Sequence, residues 1–331
     1  MPKIVKVALL AVAAMAGGLA LFVLTFKPKA RAASAEVIER TPARLERGKY
    51  LVESALGCMD CHAQRDFSRF GGPIVGPTGA GNDCYGPEYG MPGKVCAPNI
   101  TPDTATGLGA WSDGEIMRAL REGVNREGKA LFMMPYTEYR SLSDEDARAV
   151  VAYLRALPPI THQVPATEIA FPVSFFIKFG PKPLLAPVPE PDRADRVAYG
   201  KYLAKVGVCQ FCHTPIDGRH LPLPGKEFAG GHEFKGPWGT VRSANISPHE
   251  AGLGQRDEKA FVGLFKAFDG PDADLPKVPA DKNTVMSWLS RSHMTEADLG
   301  AIYAYLKTVP AQDQVVEKRP LPVMPKSGGA H

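Results

Sequence analysis

The chain has 331 residues, 44% of them hydrophobic and 22% charged, with a formal charge of +4. That length calls for two units of about 100–150 residues, and the composition excludes a wholly disordered or collagen-like chain. The excess positive charge sits in residues 1–35, which carry Lys3, Lys6, Lys27, Lys29 and Arg31 and no acid; the remainder sums to −1, so a basic nucleic-acid-binding face is not expected.

Val7 to Phe26 is a run of twenty residues whose only polar side chain is Thr25. A helix of that length spans about 30 Å, the thickness of a bilayer's hydrocarbon core. A cleaved leader is the competing reading, because Ala33-Ser34-Ala35 has the form of an A-x-A site. The run is longer than the ~7–15 apolar residues of a leader, which favours a retained transmembrane helix. No cysteine follows closely, so a lipoprotein anchor is not available. Residues 1–40 are thus an anchor or signal segment, and the rest of the chain is exported, tethered by this helix or released if the leader is cleaved.

Next comes a helix read over Arg44 to Leu56, leading into Cys58-Met59-Asp60-Cys61-His62. The same C-x-x-C-H pattern returns at Cys209-Gln210-Phe211-Cys212-His213, 151 residues on. At this spacing two thiols can form thioethers with both vinyl groups of one haem while the adjacent imidazole meets the iron. Zinc would need further ligand pairs close by, yet 147 residues separate Cys61 from Cys209. A redox dithiol would need a βαβ pattern, and none surrounds either motif. Two covalently bound haem c groups are therefore expected, attached through Cys58, Cys61, Cys209 and Cys212, with His62 and His213 as proximal iron ligands.

Cys84 and Cys96 remain, in a Gly/Pro-rich stretch from Gly79 to Pro98 that reads as loop. In an oxidising compartment a disulfide is their expected fate, a thiolate axial ligand being the alternative. A second helix follows the Ser112/Asp113 cap with Ile116, Leu120 and Val124 on one face. A third starts at Ser143, with Asp146 three residues on, and buries Val150, Leu154 and Leu157.

Pro159 to Asp192 then holds eight prolines in 34 residues, which forbids a long helix and favours stiff, extended chain. Phe171, Phe175, Phe176 and Phe179 are too apolar for a free linker and are read as packing on one or both flanking domains, with a membrane or partner contact as the alternative.

The chain then repeats itself. Gly48-Lys49-Tyr50-Leu51 returns as Gly200-Lys201-Tyr202-Leu203, Asn99-Ile100-Thr101-Pro102 as Asn245-Ile246-Ser247-Pro248, and Gly107-Leu108-Gly109 as Gly252-Leu253-Gly254. Leu142-Ser143-Asp144-Glu145-Asp146 matches Met294-Thr295-Glu296-Ala297-Asp298, so Thr295 caps a last helix burying Ile302, Leu306 and Val309. The organisation is therefore domain 41–158, linker 159–192, domain 193–310 and tail 311–331, each domain mostly α with a porphyrin completing a core too small on its own. Carried back from Leu142/Met294 at a constant offset of 152, the repeat pairs Met134 with Met286 and Met133 with Val285. Met134 and Met286 are the expected sixth ligands, and Met133 is assigned to the core; methionine on the far side raises the potential and closes the iron to substrates. His162, His220, His232, His249, His293 and His331 are read as solvated or core side chains, with His232 and His249 able to compete for the second iron if Met286 were not bound. Trp111 and Trp238 are read as packing at a haem edge.

On these residues each half resembles a class I cytochrome c domain, and the pair resembles exported dihaem cytochromes c. Asn99-Ile100-Thr101-Pro102-Asp103, Gly107-Leu108-Gly109-Ala110-Trp111-Ser112-Asp113 and Met134-Pro135-Tyr136 are similar to segments in the cytochrome subunits of membrane-bound alcohol and gluconate dehydrogenases. Those subunits carry three haems; two motifs stand here. The second repeat departs from the pattern at Arg256, in place of a tryptophan, and at Ser287, in place of a proline. The resemblance implies an electron-transfer protein rather than an enzyme, whose redox partners are a dehydrogenase, an oxidase or another cytochrome. Residues 41–158 sum to −2 and residues 193–310 to +2, an asymmetry that docking could use. The rival class is the dihaem cytochrome c peroxidases, of similar length and motif spacing, but the Pro-Tyr-Met-His-Asp-Gly type of segment they carry is not found.

Overall fold

The computed structural model describes residues 2–82, 84–218, 220–236, 238–271, 275–317 and 322. Most of the expected tail, His331 included, lies outside the described residues. Helix α1 (Lys3–Thr25) has 23 residues, none of them buried. It is long and apolar enough to cross a membrane.

Thr41 accepts from the Arg44 N–H at 3.3 Å and, with Pro42 in the first helical position, starts α2 (Pro42–Tyr50). The expected helix to Leu56 is completed by π-helical turns over Leu51–Ala55, which bury Leu51, Val52, Ser54 and Ala55. α3 (Met59–His62) carries the first motif. Strands β1 (Cys84–Tyr85) and β2 (Gly93–Cys96) pair antiparallel with Cys84 opposite Cys96, and the two cysteines form the expected disulfide. α4 (Asp113–Glu122) opens with a full capping box between Ser112 and Glu115. It ends at Gly123 (φ 72°), so Val124 lies beyond the helix, buried in a bridge to Ala130. α5 (Tyr136–Tyr139) and α6 (Asp144–Ala156) follow; Ser143 accepts from the Asp146 N–H at 3.0 Å.

The proline-rich stretch contains no long helix. β3 (Glu168–Ile169) adds to β2, and α7 (Val173–Phe176) runs into a 3₁₀ turn at Ile177–Phe179. The second half then runs α8 (Arg196–Val206), α9 (Cys209–Cys212), the hairpin β4 (Glu233–Gly236) and β5 (Gly239–Arg242), α10 (Glu258–Lys266), α11 (Trp288–Ser292) and α12 (Glu296–Leu306). Asp195, Asp257 and Thr295 cap α8, α10 and α12 with their side chains.

The same five helices thus recur in the same order, and the same close crossing joins the first to the last. A Cβ on Gly48 would lie 2.0 Å from the Ala149 carbonyl oxygen of α6, and one on Gly200 would lie 1.8 Å from that of Ala301 on α12. Glycine at both positions is what lets the helix backbones touch. The halves also share one continuous apolar core that includes Leu51, Val150, Leu203 and Leu299.

Across the seam the hydrogen bonds follow the repeat. Tyr50 on α2 donates to Asp298 of the second half at 2.5 Å, and Tyr202 on α8 donates to Asp146 of the first at 2.6 Å. Each tyrosine oxygen also accepts an N–H at the partner helix cap, Thr295 and Ser143 respectively, both at 3.3 Å. Lys205 pairs with Glu138, Phe70 stacks on Phe268, and Trp238 packs on Phe67 with centroids 5.0 Å apart.

Phe175 and Phe179 pack on Phe22 and Phe26 at the end of α1, a neighbour not expected from the sequence, with β3 pairing on β2 just before them. One expectation needs correcting. Met133 is not a core residue: its backbone takes a left-handed turn (φ 63°) that leaves the side chain 57% exposed.

Candidate functional site

Each C-x-x-C-H motif sits on one short helical turn, placed by the longer helix before it. In the first, His62 N–H bonds the Cys58 carbonyl at 3.0 Å; in the second, His213 N–H bonds that of Cys209 at 2.9 Å. All four cysteines are free of disulfides. Burial pushes the Cys58 and Cys212 thiols up to about 12 and those of Cys61 and Cys209 upward as well. A reactive redox or metal-binding pair needs thiolates and hence lowered values, the opposite of what burial does here.

The histidines are oriented alike. His62 Nδ1 bonds the carbonyl of Pro98 at 2.8 Å, and His213 Nδ1 bonds that of Ala244 at 2.7 Å. With Nδ1 donating, the tautomer is fixed and Nε2 is left with its lone pair for an iron. Burial lowers both imidazoles, which keeps them in the neutral, ligating form.

Those two carbonyls explain the repeated Asn-Ile-Thr/Ser-Pro string. Each belongs to the residue immediately before the asparagine. Asn99 accepts from Thr101 N–H at 2.9 Å and donates to the Ile160 carbonyl at 2.7 Å. Asn245 accepts from Ser247 N–H at 2.9 Å and donates to the Gln312 carbonyl at 2.7 Å. A buried amide thus pins the loop that orients the histidine to the segment leaving the last helix. The repeat marked these residues; their role needed the long-range partners.

The methionine pair is presented by matching turns. Tyr136 N–H bonds the Met134 carbonyl, and Trp288 N–H that of Met286, both at 2.8 Å. The residues between are Pro135 (φ −80°, ψ 48°) and Ser287 (φ −73°, ψ 53°). Both are inverse γ-turns, so the serine that departs from the first repeat's Met-Pro adopts the proline conformation. Met134 and Met286 are part-buried against the shared core.

Arg291, which the sequence reading did not single out, joins the two motif loops. Its buried guanidinium donates to the carbonyls of Ser54 and Leu56 before the first motif, and of Gly207 before the second. The neighbouring Ser290 donates to Asp60, inside the first motif, at 2.8 Å. Tyr139 occupies the equivalent position in the first half and donates to the Leu56 carbonyl at 3.3 Å.

Three of the other histidines have partners of their own. His232 is buried, stacked on Phe234 at 4.4 Å, with Nδ1 3.3 Å from the Phe211 carbonyl. His249 Nδ1 accepts from Ala251 N–H at 3.2 Å, and His162 Nδ1 bonds the Ala80 carbonyl at 2.8 Å. Trp111 is part-buried against the core, and Arg256, in its place in the second repeat, accepts from the Tyr303 hydroxyl at 2.7 Å through its carbonyl.

These residues fit a covalently attached porphyrin: paired unbonded thiols, an imidazole with its outer nitrogen already committed, and a part-buried thioether in the same turn of each half. Comparison with known proteins agrees. A cytochrome c family model matches residues 45–158. A dihaem c-type cytochrome of Cereibacter sphaeroides is 30% identical over 261 residues, covering 77% of this chain and 82% of that protein. The cytochrome c subunit of a quinone-dependent alcohol dehydrogenase of Gluconobacter oxydans is 29% identical over 283 residues, or 81% of this chain, and the chain spans 55% of that subunit. One of the subunits of nicotinate dehydrogenase from Pseudomonas putida is 33% identical over 186 residues, 52% of this chain but only 14% of its own length.

Proposed function

The chain belongs to the cytochrome c family, and from that premise we propose that it is a dihaem electron carrier tethered on the periplasmic face of a bacterial cytoplasmic membrane by α1. Domains 41–158 and 193–310, joined by the proline-rich segment 159–192, each hold one haem c. Cys58 and Cys61 attach the first and Cys209 and Cys212 the second. His62 with Met134, and His213 with Met286, would supply the iron ligands of the first and second haem. When bound, each haem supplies reversible one-electron exchange at iron.

The protein's own work is to hold that exchange in place. The carbonyls of Pro98 and Ala244 fix the imidazoles, the matching γ-turns fix the thioethers, and Arg291 with the Tyr50–Asp298 and Tyr202–Asp146 bonds fixes one half against the other. A rigid site keeps reorganisation small as the iron changes charge. The names of the relatives point to a dehydrogenase as electron donor. A substrate-opening peroxidase is not favoured, since both methionines are presented alike and the relatives named are a dihaem cytochrome and dehydrogenase subunits.

The observation that carries this reading is the duplicated histidine orientation, 2.8 Å to Pro98 and 2.7 Å to Ala244, in two motifs built alike. Intact mass of the protein matured in a haem c-competent host tests it. The expected mass is the polypeptide plus two haems; one haem or none overturns the dihaem assignment. The same spectrum reports whether residues 1–35 are retained. Co-purification of a dehydrogenase after mild detergent extraction tests the donor class.

A further inference from the structure

We propose that the aromatic segment Phe171–Phe179 is an interfacial membrane element, lying in the headgroup–acyl boundary beside the point where α1 leaves the bilayer. This rests on α1 being a retained membrane anchor. The segment reads Phe-Pro-Val-Ser-Phe-Phe-Ile-Lys-Phe and contains no acid; the next one in the chain is Glu190. It folds as α7 and a 3₁₀ turn, and one side of it closes on the last turn of α1. Phe179 stacks on Phe26 with centroids 4.6 Å apart, and Phe175 lies 6.1 Å from Phe22 and 5.9 Å from Phe26. Lys178 donates to the Val23 carbonyl at 3.1 Å, satisfying one of the helix's terminal acceptors.

The other side is uncovered. Phe171 is 71% exposed, Phe176 62% and Phe179 50%. What covers them follows from where they stand. A helix of α1's length matches a hydrocarbon core of about 30 Å, so the turn holding Phe22 and Phe26 marks its edge, and the exposed rings lie at that level. Aromatic rings concentrate there in membrane proteins, because they are apolar in body yet tolerate the hydrated boundary. Lys27 and Lys29 follow α1 and Lys182 follows the aromatic segment in the chain, a charge suited to anionic headgroups.

The segment is also tied firmly to the haem-motif body. β3 pairs with β2 just before it. After it, Arg140 donates to the carbonyls of Lys182 and Pro183, and Asp144 N–H bonds the Val188 carbonyl at 2.9 Å. Two points of membrane contact, one through α1 and one through these rings, would fix how the body faces the membrane, where a single helix and flexible tether would let it tumble.

The test uses the full-length, haem-loaded protein in protein-free vesicles of phosphatidylethanolamine and phosphatidylglycerol. p-Benzoylphenylalanine replaces Phe176, Met15 or Val315 singly, followed by illumination and intact mass; Val315, 84% exposed, is the aqueous reference. Lipid adducts are expected at 15 and 176, severalfold above the level at 315. Adducts at 15 with none at 176 overturn the interfacial element and leave the anchor standing. Adducts at neither position remove the anchor reading, and the proposal with it. The same label at Phe171 replaces that at Phe176 if the latter fails to mature, with the same two outcomes.

Discussion

Replacing Gly200 with alanine puts the close crossing of α8 and α12 to the test. The new Cβ would lie 1.8 Å from the Ala301 carbonyl oxygen, 2.4 Å from its carbon and 3.0 Å from Ile302 N. All three are backbone atoms, so no flexible side chain can yield. Ordinary contact begins at 3.4 Å, and α8 and α12 must therefore separate by about 1.6 Å along that line. Buried Leu203, Ala204, Leu299 and Ile302 line the seam that opens, and interiors this dense lose dispersion contacts quickly as a gap forms. Overpacking typically costs about 1–3 kcal/mol; a clash of backbone with backbone belongs at or above the top of that range, about 3 kcal/mol out of a total stability of about 5–15 kcal/mol. Guanidinium unfolding of the mature protein, followed at the haem Soret band, measures the change. Gly48→Ala should cost a similar amount, since its Cβ would lie 2.0 Å from Ala149 O. Gly263→Ala is the control: it sits within α10 with nothing within 4 Å, and should stabilise by about 0.5–1 kcal/mol. A Gly200→Ala protein within about 1 kcal/mol of wild type would refute the close crossing as the fold's organising contact.

Tyr50→Phe and Tyr202→Phe each remove a charge-assisted bond across the seam, for an expected loss of about 1.5–3 kcal/mol in the same assay; losses near zero for both would mean the halves are not held there. Arg291→Met leaves three backbone carbonyls without their donor and should destabilise by at least about 1.5–3 kcal/mol. It should also lower both midpoint potentials by tens of millivolts, about 59 mV being a tenfold change for one electron; spectroelectrochemistry in which only one potential moves contradicts a guanidinium shared by both motif loops. Glu145→Gln addresses acid stability. Hydrogen bonds from Arg44, at 3.1 Å for the longer, hold the Glu145 carboxyl below its ordinary value. That contribution is present above the unfolded carboxyl's pKa of about 4.3 and is lost as pH falls through the folded one. The variant should be weaker than wild type by less than about 1 kcal/mol at neutral pH, with the gap closing as pH falls below the unfolded carboxyl's value and through the lower folded one; a gap independent of pH would rule out the ion pair as its source.

Local signals made much of this molecule legible. The caps at Ser112, Ser143 and Thr295 hold the helices they were read to start, and the C-x-x-C-H strings marked both candidate attachment points. The repeat supplied the Met134/Met286 pairing, and the two residues share one turn geometry. What stayed hidden were partners far apart in sequence. Tyr50 and Asp298 are 248 positions apart, and nothing local in either marks them as a pair. Arg291 reads as an ordinary basic residue on a short helix until three carbonyls from two distant loops converge on it. Asn99 and Asn245 stood out as repeated residues, but their acceptors lie beyond the last helix of each half. The phenylalanines of 171–179 were visible as too apolar for a linker, and their neighbour was missed because it is the N-terminal apolar helix, 145 or more residues earlier. Ser287 reads as a break in the pattern, yet a γ-turn needs a backbone angle that proline favours and serine can also adopt.

Carbon monoxide binding to the reduced, purified protein at neutral pH, followed optically, tests the central claim most directly. With Met134 and Met286 closing both irons, neither haem should take up the ligand, and the reduced spectrum should stand unchanged. Ready binding at one haem would mean that its methionine does not hold the iron, and would contradict a pure electron carrier.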